Sequence, residues 1–167
     1  MRKGLIILAD LKDEDLILLS RIGKLREISP RESLISAGQE VQDLFVITEG
    51  HFRVEVDGDM VAELATGDVL GEMSFVEKRP PGATVLADGP ARVLAIPREL
   101  LLREFETNDG FAARFYRALA VFLSDRLRAM TPAQGGEEID EGLLDTLHVA
   151  GDRMIRLIGL LEGETGV

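Results

Sequence analysis

The sequence predicts a mainly β fold with flanking helices, and three observations carry that prediction. Between Lys24 and Pro97, the glycines Gly38, Gly50, Gly58, Gly67, Gly71 and Gly89 break the chain into short segments of β character. Regular short strands with glycine turns are the pattern of a β-sandwich or a jelly-roll barrel. After Pro97 the apolar spacing becomes helical. The composition, 46% hydrophobic and 29% charged over 167 residues, is that of a globular chain with one core of ordinary size and room for an appended element.

Taken in order, Met1–Asp10 carries two cations and a short apolar run that stops at Asp10. A signal peptide needs a longer apolar region and a small-residue cleavage site, so this reads as a packing segment. Asp13-Glu14-Asp15 opens a short helix with Leu16, Leu18, Leu19 and Ile22 as its apolar positions. Its acidic first turn suits the positive end of the helix macrodipole. Leu44–Ile47 is an apolar run and Phe52–Val56 alternates, with Glu49-Gly50 turning between them. Asp57-Gly58-Asp59 then turns into Met60–Leu64. Gly50 and Gly58 answer to the positive φ of tight turns.

Arg98 to Phe105 reads as a short helix, and Asn108-Asp109 caps the next, from about Gly110 to Met130. Tyr116, Ala120, Leu123, Leu127 and Met130 follow one another at helical steps, while Phe111, Phe115, Leu119 and Phe122 line a neighbouring face. One face suffices for packing on a β-roll. Two faces suggest a second partner, and a purely intramolecular core is the alternative. Thr131–Gly136 is a breaker and linker. Beyond it, Leu143, Leu147, Ala150, Met154, Leu157 and Leu161 form a further stripe, widened by Ile155 and Ile158. The expected organisation is therefore a domain over 1–130, a linker over 131–136 and an acidic amphipathic helix tail over 137–167. That helix must bury its stripe on its own roll, on a symmetry mate or on another protein.

The most informative stretch is Gly71 to Val85, GEMSFVEKRPPGATV. Ser74 sits between apolar Met73 and Phe75, and Gly82-Ala83-Thr84-Val85 re-enters a strand after a proline turn. A short helical turn with free N–H groups, next to small residues, makes an anion seat. A carboxylate at its start can accept a hydrogen bond from a sugar hydroxyl. On these residues the chain resembles the cyclic-nucleotide-binding domains of the catabolite activators and of protein kinase A regulatory subunits. There the segment reads Gly-Glu-apolar-small-apolar, five residues usually ending in Pro, then Arg-small-small-Ser/Thr-Val. Gly71, Glu72, Ser74, Pro80, Gly82, Ala83, Thr84 and Val85 match, and the arginine position falls on Pro81.

The resemblance implies an eight-stranded β-roll (a double-stranded β-helix or jelly roll) followed by a long helix, here with an additional terminal amphipathic helix. It implies that Glu72 holds a ribose hydroxyl. The phosphate pocket would be lined by backbone amides of Gly71, Met73, Ser74, Gly82 and Ala83 and by the Thr84 hydroxyl. The family arginine pairs with the cyclic phosphate, and Arg79 is the nearby substitute cation. Gly71 reads equally as a turn residue and as a point of close approach to ligand. The long helix corresponds to one that lids the nucleotide and forms a dimer seam, which assigns Tyr116, Leu119, Phe122, Leu123, Leu127 and Met130 to that seam. A counterpart of the winged helix-turn-helix of the catabolite activators is not expected.

Charge supports that last point. The chain has 19 basic and 30 acidic residues, net −11, and such a surface repels a phosphate backbone. Among the 37 residues after Met130, eight are acidic and two basic, whereas a winged helix needs about 60 residues and a basic face. No DNA partner is expected. The absence of cysteine excludes disulfides, zinc fingers and cysteine-held iron–sulfur clusters. His51 and His148 have no accompanying ligands for a metal triad, Ser74 lacks a nucleophile elbow, and no carboxylate pair suited to acid–base work stands out. No stretch approaches the ~18 apolar residues of a membrane span.

The expectation is thus a non-enzymatic, cytoplasmic, homodimeric regulatory module without metal or cofactor. It would bind cAMP or cGMP weakly, or a related anionic ligand, and signal by helix movement. A protein partner through the terminal helix is a further expectation. The alternative is a degenerate, non-ligand-binding roll that serves as an interaction or assembly scaffold.

Overall fold

The computed structural model describes residues 6–130 and 141–163. The linker expected at 131–136 lies outside them, as do the side chains of Met130, Leu143 and Leu147. In chain order the elements are α1 (Ile6–Ala9), α2 (Asp13–Ile22), β1 (Lys24–Ile28), β2 (Ser33–Ile35), β3 (Asp43–Glu49), β4 (His51–Val56), β5 (Asp59–Ala65), β6 (Val69–Leu70), α3 (Glu72–Glu77), β7 (Thr84–Ala87), β8 (Ala91–Pro97), α4 (Arg98–Thr107), α5 (Asp109–Met130) and α6 (Glu141–Gly163). They group into two compact units, one built on Ile22–Arg103 and the other on Lys3–Arg21 with Glu104–Val167.

The first unit is the β-roll that the sequence predicts. Two four-stranded antiparallel sheets have the orders β1-β8-β3-β6 and β2-β7-β4-β5. Apart from the β4–β5 hairpin, neighbours in each sheet are distant in sequence, so loops cross between sheets as a jelly roll requires. The core holds Ile28, Phe45, Ile47, Phe52, Val85 and Val93 with the small residues Ala87, Ala91 and Ala95. Register pairs large with small, Phe45 opposite Ala95 and Phe52 opposite Ala87, which lets the rings fill space without strain. Residues Leu44 to Thr48 of β3 are all buried, the reason this strand reads as an apolar run rather than an alternation. The alternation of β4 decays along the strand, from buried Phe52 through half-buried Val54 to exposed Val56. Gly50 has φ of 91°, and a Cβ there would lie 2.7 Å from the Ala91 Cβ. Turn conformation and close packing both require it.

The second unit is helical. Helix α1 packs on α5 and α6. The Phe111, Phe115, Leu119 and Phe122 face of α5 is buried, as is the Ala150, Met154, Leu157 and Leu161 stripe of α6. The terminal helix thus docks in cis on α1, one outcome the sequence left open together with others. Its stripe is narrower than expected, because Ile155 is 72% exposed. The Asn108 side chain caps α5 by accepting the Phe111 N–H at 3.0 Å, as expected. Among the described residues no helix is long and apolar enough to cross a membrane.

Arginines tie the helical unit together. Arg114 of α5 makes a two-pronged pair with Asp15 of α2, Nε to Oδ2 and Nη2 to Oδ1, both at 2.7 Å. The Lys12 N–H also donates to Asp15 Oδ2 at 2.8 Å. From α6, Arg156 reaches Asp13 at 2.8 Å and Arg153 donates to the Leu8 carbonyl at 3.3 Å. The acidic opening of α2 is therefore a docking point for two later helices, beyond its favourable position on the macrodipole. Asp15 is buried, which pushes its carboxyl up. The Arg114 hydrogen bond, the Lys12 N–H and the Arg114 charge outweigh this and hold it below its ordinary value of 3.8.

A lowered folded pKa means stability that is present above pH 3.8 and is lost as pH falls through the lower folded value. Arg114→Leu strands a buried carboxylate and should cost about 3 kcal/mol or more at pH 7. Asp15→Asn in the same chain should recover part of that loss. Urea denaturation of the two variants checks this, and equal stability of wild type and Arg114→Leu would contradict it.

Candidate functional site

The Gly71–Val85 stretch folds as a six-residue helix, α3, between β6 and β7. Gly71 starts it in the left-handed region, at φ 83°. A Cβ on Gly71 would lie 2.7 Å from the Asp43 carbonyl oxygen and 3.3 Å from Val41 Cγ1. Both turn geometry and close approach thus demand glycine, and the approaching group is the backbone of β3. The Phe75 N–H donates to the Gly71 carbonyl at 2.9 Å, and Lys78, at φ 55°, closes the helix through its N–H on the Ser74 carbonyl at 3.0 Å.

Burial along α3 follows its faces. Glu72 is 4% exposed, and Ser74 and Phe75 are also buried, while Met73 is 60% exposed. The first N–H groups of a helix have no acceptor within it, so the amides of Met73 and Ser74 are donors at this turn. Arg79 lies in solvent. Its side chain is 82% exposed and lies 3.9 Å from the Glu77 carboxylate. Gly82 is exposed, whereas Pro81, Ala83 and Thr84 are half-buried.

One feature of the cassette left no trace in the sequence. The segment joining β2 to β3 lies against it, with the Gly38 N–H donating to the Pro81 carbonyl at 2.8 Å and the Ala37 N–H donating to Thr84 Oγ1 at 3.1 Å. Together with the Asp43–Gly71 approach, residues 37–43 brace both ends of the cassette. The Thr84 hydroxyl, assigned to a phosphate pocket, already accepts one bond from this brace. Arg98 was also not anticipated. Its guanidinium lies 5.9 Å from the Phe75 ring centroid, Nη2 reaches the Phe75 carbonyl at 3.5 Å, and Nε is buried without a hydrogen-bond partner. Among the described residues, no group of three or more His, Cys, Asp or Glu side chains could hold a metal ion.

Of the residues assigned to a dimer seam, Leu119 and Phe122 are buried inside the helical unit. Tyr116 and Leu127 are exposed, Leu127 to 67%, and Leu123 is half-buried.

Comparison with known proteins agrees with this geometry. The family model described as the cyclic nucleotide-binding domain matches residues 25–108. An uncharacterised NTE family protein of Mycobacterium tuberculosis is 29% identical over 128 residues, covering 75% of this chain and 22% of that protein. The chain spans only about a fifth to a quarter of the length of the first curated relatives it matches. Among solved structures, a cyclic nucleotide-binding domain from Methylobacillus flagellatus superposes with a TM-score of 0.69 at 19% identity, over 83% of this chain and 86% of that one. The N-terminal domain of a transcriptional regulator from Streptomyces coelicolor gives 0.64 at 25% identity, over 79% and 96%.

The Gly71 geometry has a direct consequence. Gly71→Ala places a side chain at a positive φ and against a backbone oxygen that cannot swing aside. It should lower stability by at least about 1–2 kcal/mol in urea denaturation. An unchanged midpoint would show that β3 does not hold Gly71 in this way.

Proposed function

Because the chain belongs to the cyclic nucleotide-binding domain family, we propose that it is a regulatory module of that type, whose cassette takes a cyclic nucleotide weakly or a related anionic ligand. The observation that carries this reading is the braced Gly71-Glu72 turn, with its helix-start amides and its buried carboxylate in one place. Glu72 is the group for a ribose hydroxyl. The amides of Gly71, Met73, Ser74, Gly82 and Ala83 and the Thr84 hydroxyl are the groups for a phosphate.

Weakness follows from charge. Pro81 stands where the family has arginine and Arg79 points to solvent, so a phosphate here would meet amide dipoles and the Thr84 hydroxyl in place of a guanidinium. A charge-assisted hydrogen bond contributes roughly 1.5–3 kcal/mol, about ten- to a hundredfold in affinity. The brace survives substitution at this position, because Gly38 bonds the residue's backbone carbonyl. Calorimetry with cAMP and cGMP should therefore give micromolar or poorer affinity for the natural chain, and Pro81→Arg should tighten it by about ten- to a hundredfold. Submicromolar binding by the natural chain, unchanged by Arg79→Ala, would overturn this account of the phosphate half. Silence from both chains would favour the roll as a non-binding assembly scaffold.

Signalling is assigned to the helices. What supports this is Arg98, in the first turn of α4, which contacts both the ring and the carbonyl of Phe75 within α3. A change in α3 on ligand binding would be felt at the start of α4, a two-state coupling of the kind allostery requires.

A homodimer through α5 belongs to the same proposal. Tyr116, Ala120 and Leu127 present an exposed, largely apolar line at helical spacing, and contiguous apolar surface of this kind marks interfaces. Ala120→Asp with Leu127→Asp changes only exposed positions, so the subunit should stay folded while light scattering shows monomers. A natural chain that is monomeric at about ten-micromolar concentration would refute the dimer.

A further inference from the structure

The segment that braces the cassette has a second side. There, with β1 and β2, it closes a cavity of about 210 Å³ that includes no residue of the 71–85 cassette. Its lining is mostly polar, with Arg26, Glu40, Gln42 and Asp43 beside the apolar Val41 and Phe45. Asp43 projects from the same face of β3 as Phe45, two residues on, so it looks into the roll rather than away from it.

The charges in this cavity are not balanced. Arg26 is already committed to Glu32, with Nη2 and Oε1 2.5 Å apart. Asp43 is half-buried, and among the described residues its carboxylate has no hydrogen bond or ion pair. Burial pushes that carboxyl up, and the nearby Arg26 charge only partly offsets this. A partly desolvated, unpartnered carboxylate gains most from a cation that also donates hydrogen bonds. Glu40, an exposed residue of the lining, adds a second negative charge. Two carboxylates disfavour an anion, and the described residues hold no cluster that could ligate a metal ion. The volume lies below the roughly 300–1,000 Å³ of sites for drug-sized ligands, so the occupant is small.

We propose that this cavity is a second ligand site that takes a small organic cation, a primary amine or a guanidine, anchored on the Asp43 carboxylate with Glu40 as the second carboxylate of the lining. The inference does not depend on what the cassette binds. The shared wall supplies a reporter, because Gly38 and Asp43, which contact Pro81 and Gly71, lie on the same segment as Glu40.

The test titrates the full chain with 1,4-diaminobutane at about 0.15 M salt, where exposed carboxylates are screened, and follows backbone amide resonances. Saturable shifts are expected at Gly38, Gln42 and Asp43. Asp43→Asn, which keeps size and shape, should weaken binding about tenfold or more, the equivalent of one charge-assisted bond. Glu40→Gln should weaken it less, and Glu106→Gln, an exposed carboxylate on another element, not at all. The uncharged analogue 1,4-butanediol should give no saturable shift. The proposal is overturned if Asp43→Asn, with an otherwise native spectrum, titrates like the natural chain. It is equally overturned if the diol matches the diamine, or if the natural chain shows only non-saturating shifts spread over its acidic surface.

Discussion

The approach of the Asp43 carbonyl to Gly71, with the Gly38–Pro81 and Ala37–Thr84 hydrogen bonds on the other side of the cassette, sets the geometry on which the rest of the site depends. Helix α3 has six residues, far too few to be stable alone. It stands because Ser74 and Phe75 bury against the roll and because both flanks of the cassette are fixed by one stretch of chain. Those contacts are mostly backbone to backbone. Only Val41 and the Thr84 hydroxyl contribute side chains, so the brace tolerates wide change in residue type provided that Gly71 remains glycine.

That chemistry explains which parts of the molecule were legible beforehand. Strand β4 and helices α2 and α5 follow from alternation, an acidic first turn and an Asn cap, which are local signals. The β-roll was legible from glycine spacing and from the Gly71–Val85 resemblance together. The brace was not, because an N–H donated by Gly38 to the Pro81 carbonyl is available to almost any pair of residues and imprints nothing on the sequence. The Asp15–Arg114 pair was hidden for a related reason. The two residues are 99 positions apart, and an acidic helix start is accounted for locally without a distant partner.

Helical periodicity has a separate limit, visible in α5 and α6. It identifies a face that wants covering but not what covers it. Leu119 and Phe122 share a helix with Tyr116 and Leu127, yet the first pair is core and the second is exposed. Among what covers that unit is α1, a four-residue helix packed on both α5 and α6, and four residues are too short for any period to announce. Ile155 shows the converse. It looks like a widening of the α6 stripe, but the unit closes on Ala150, Met154, Leu157 and Leu161 and leaves it in solvent.

Pro81 separates two properties that usually travel together. The form of the cassette requires a carbonyl at this position to receive Gly38, and proline supplies one as well as arginine does. The charge of the cassette requires a guanidinium, which proline cannot supply. Proline also removes an amide donor from the phosphate side and confines the backbone before Gly82. Shape and charge are therefore fixed by different atoms of one residue. A chain that loses the cation while its backbone contacts stay satisfied keeps a folded cassette with altered ligand preference, because nothing in the packing of β3, α3 and β7 registers the missing charge.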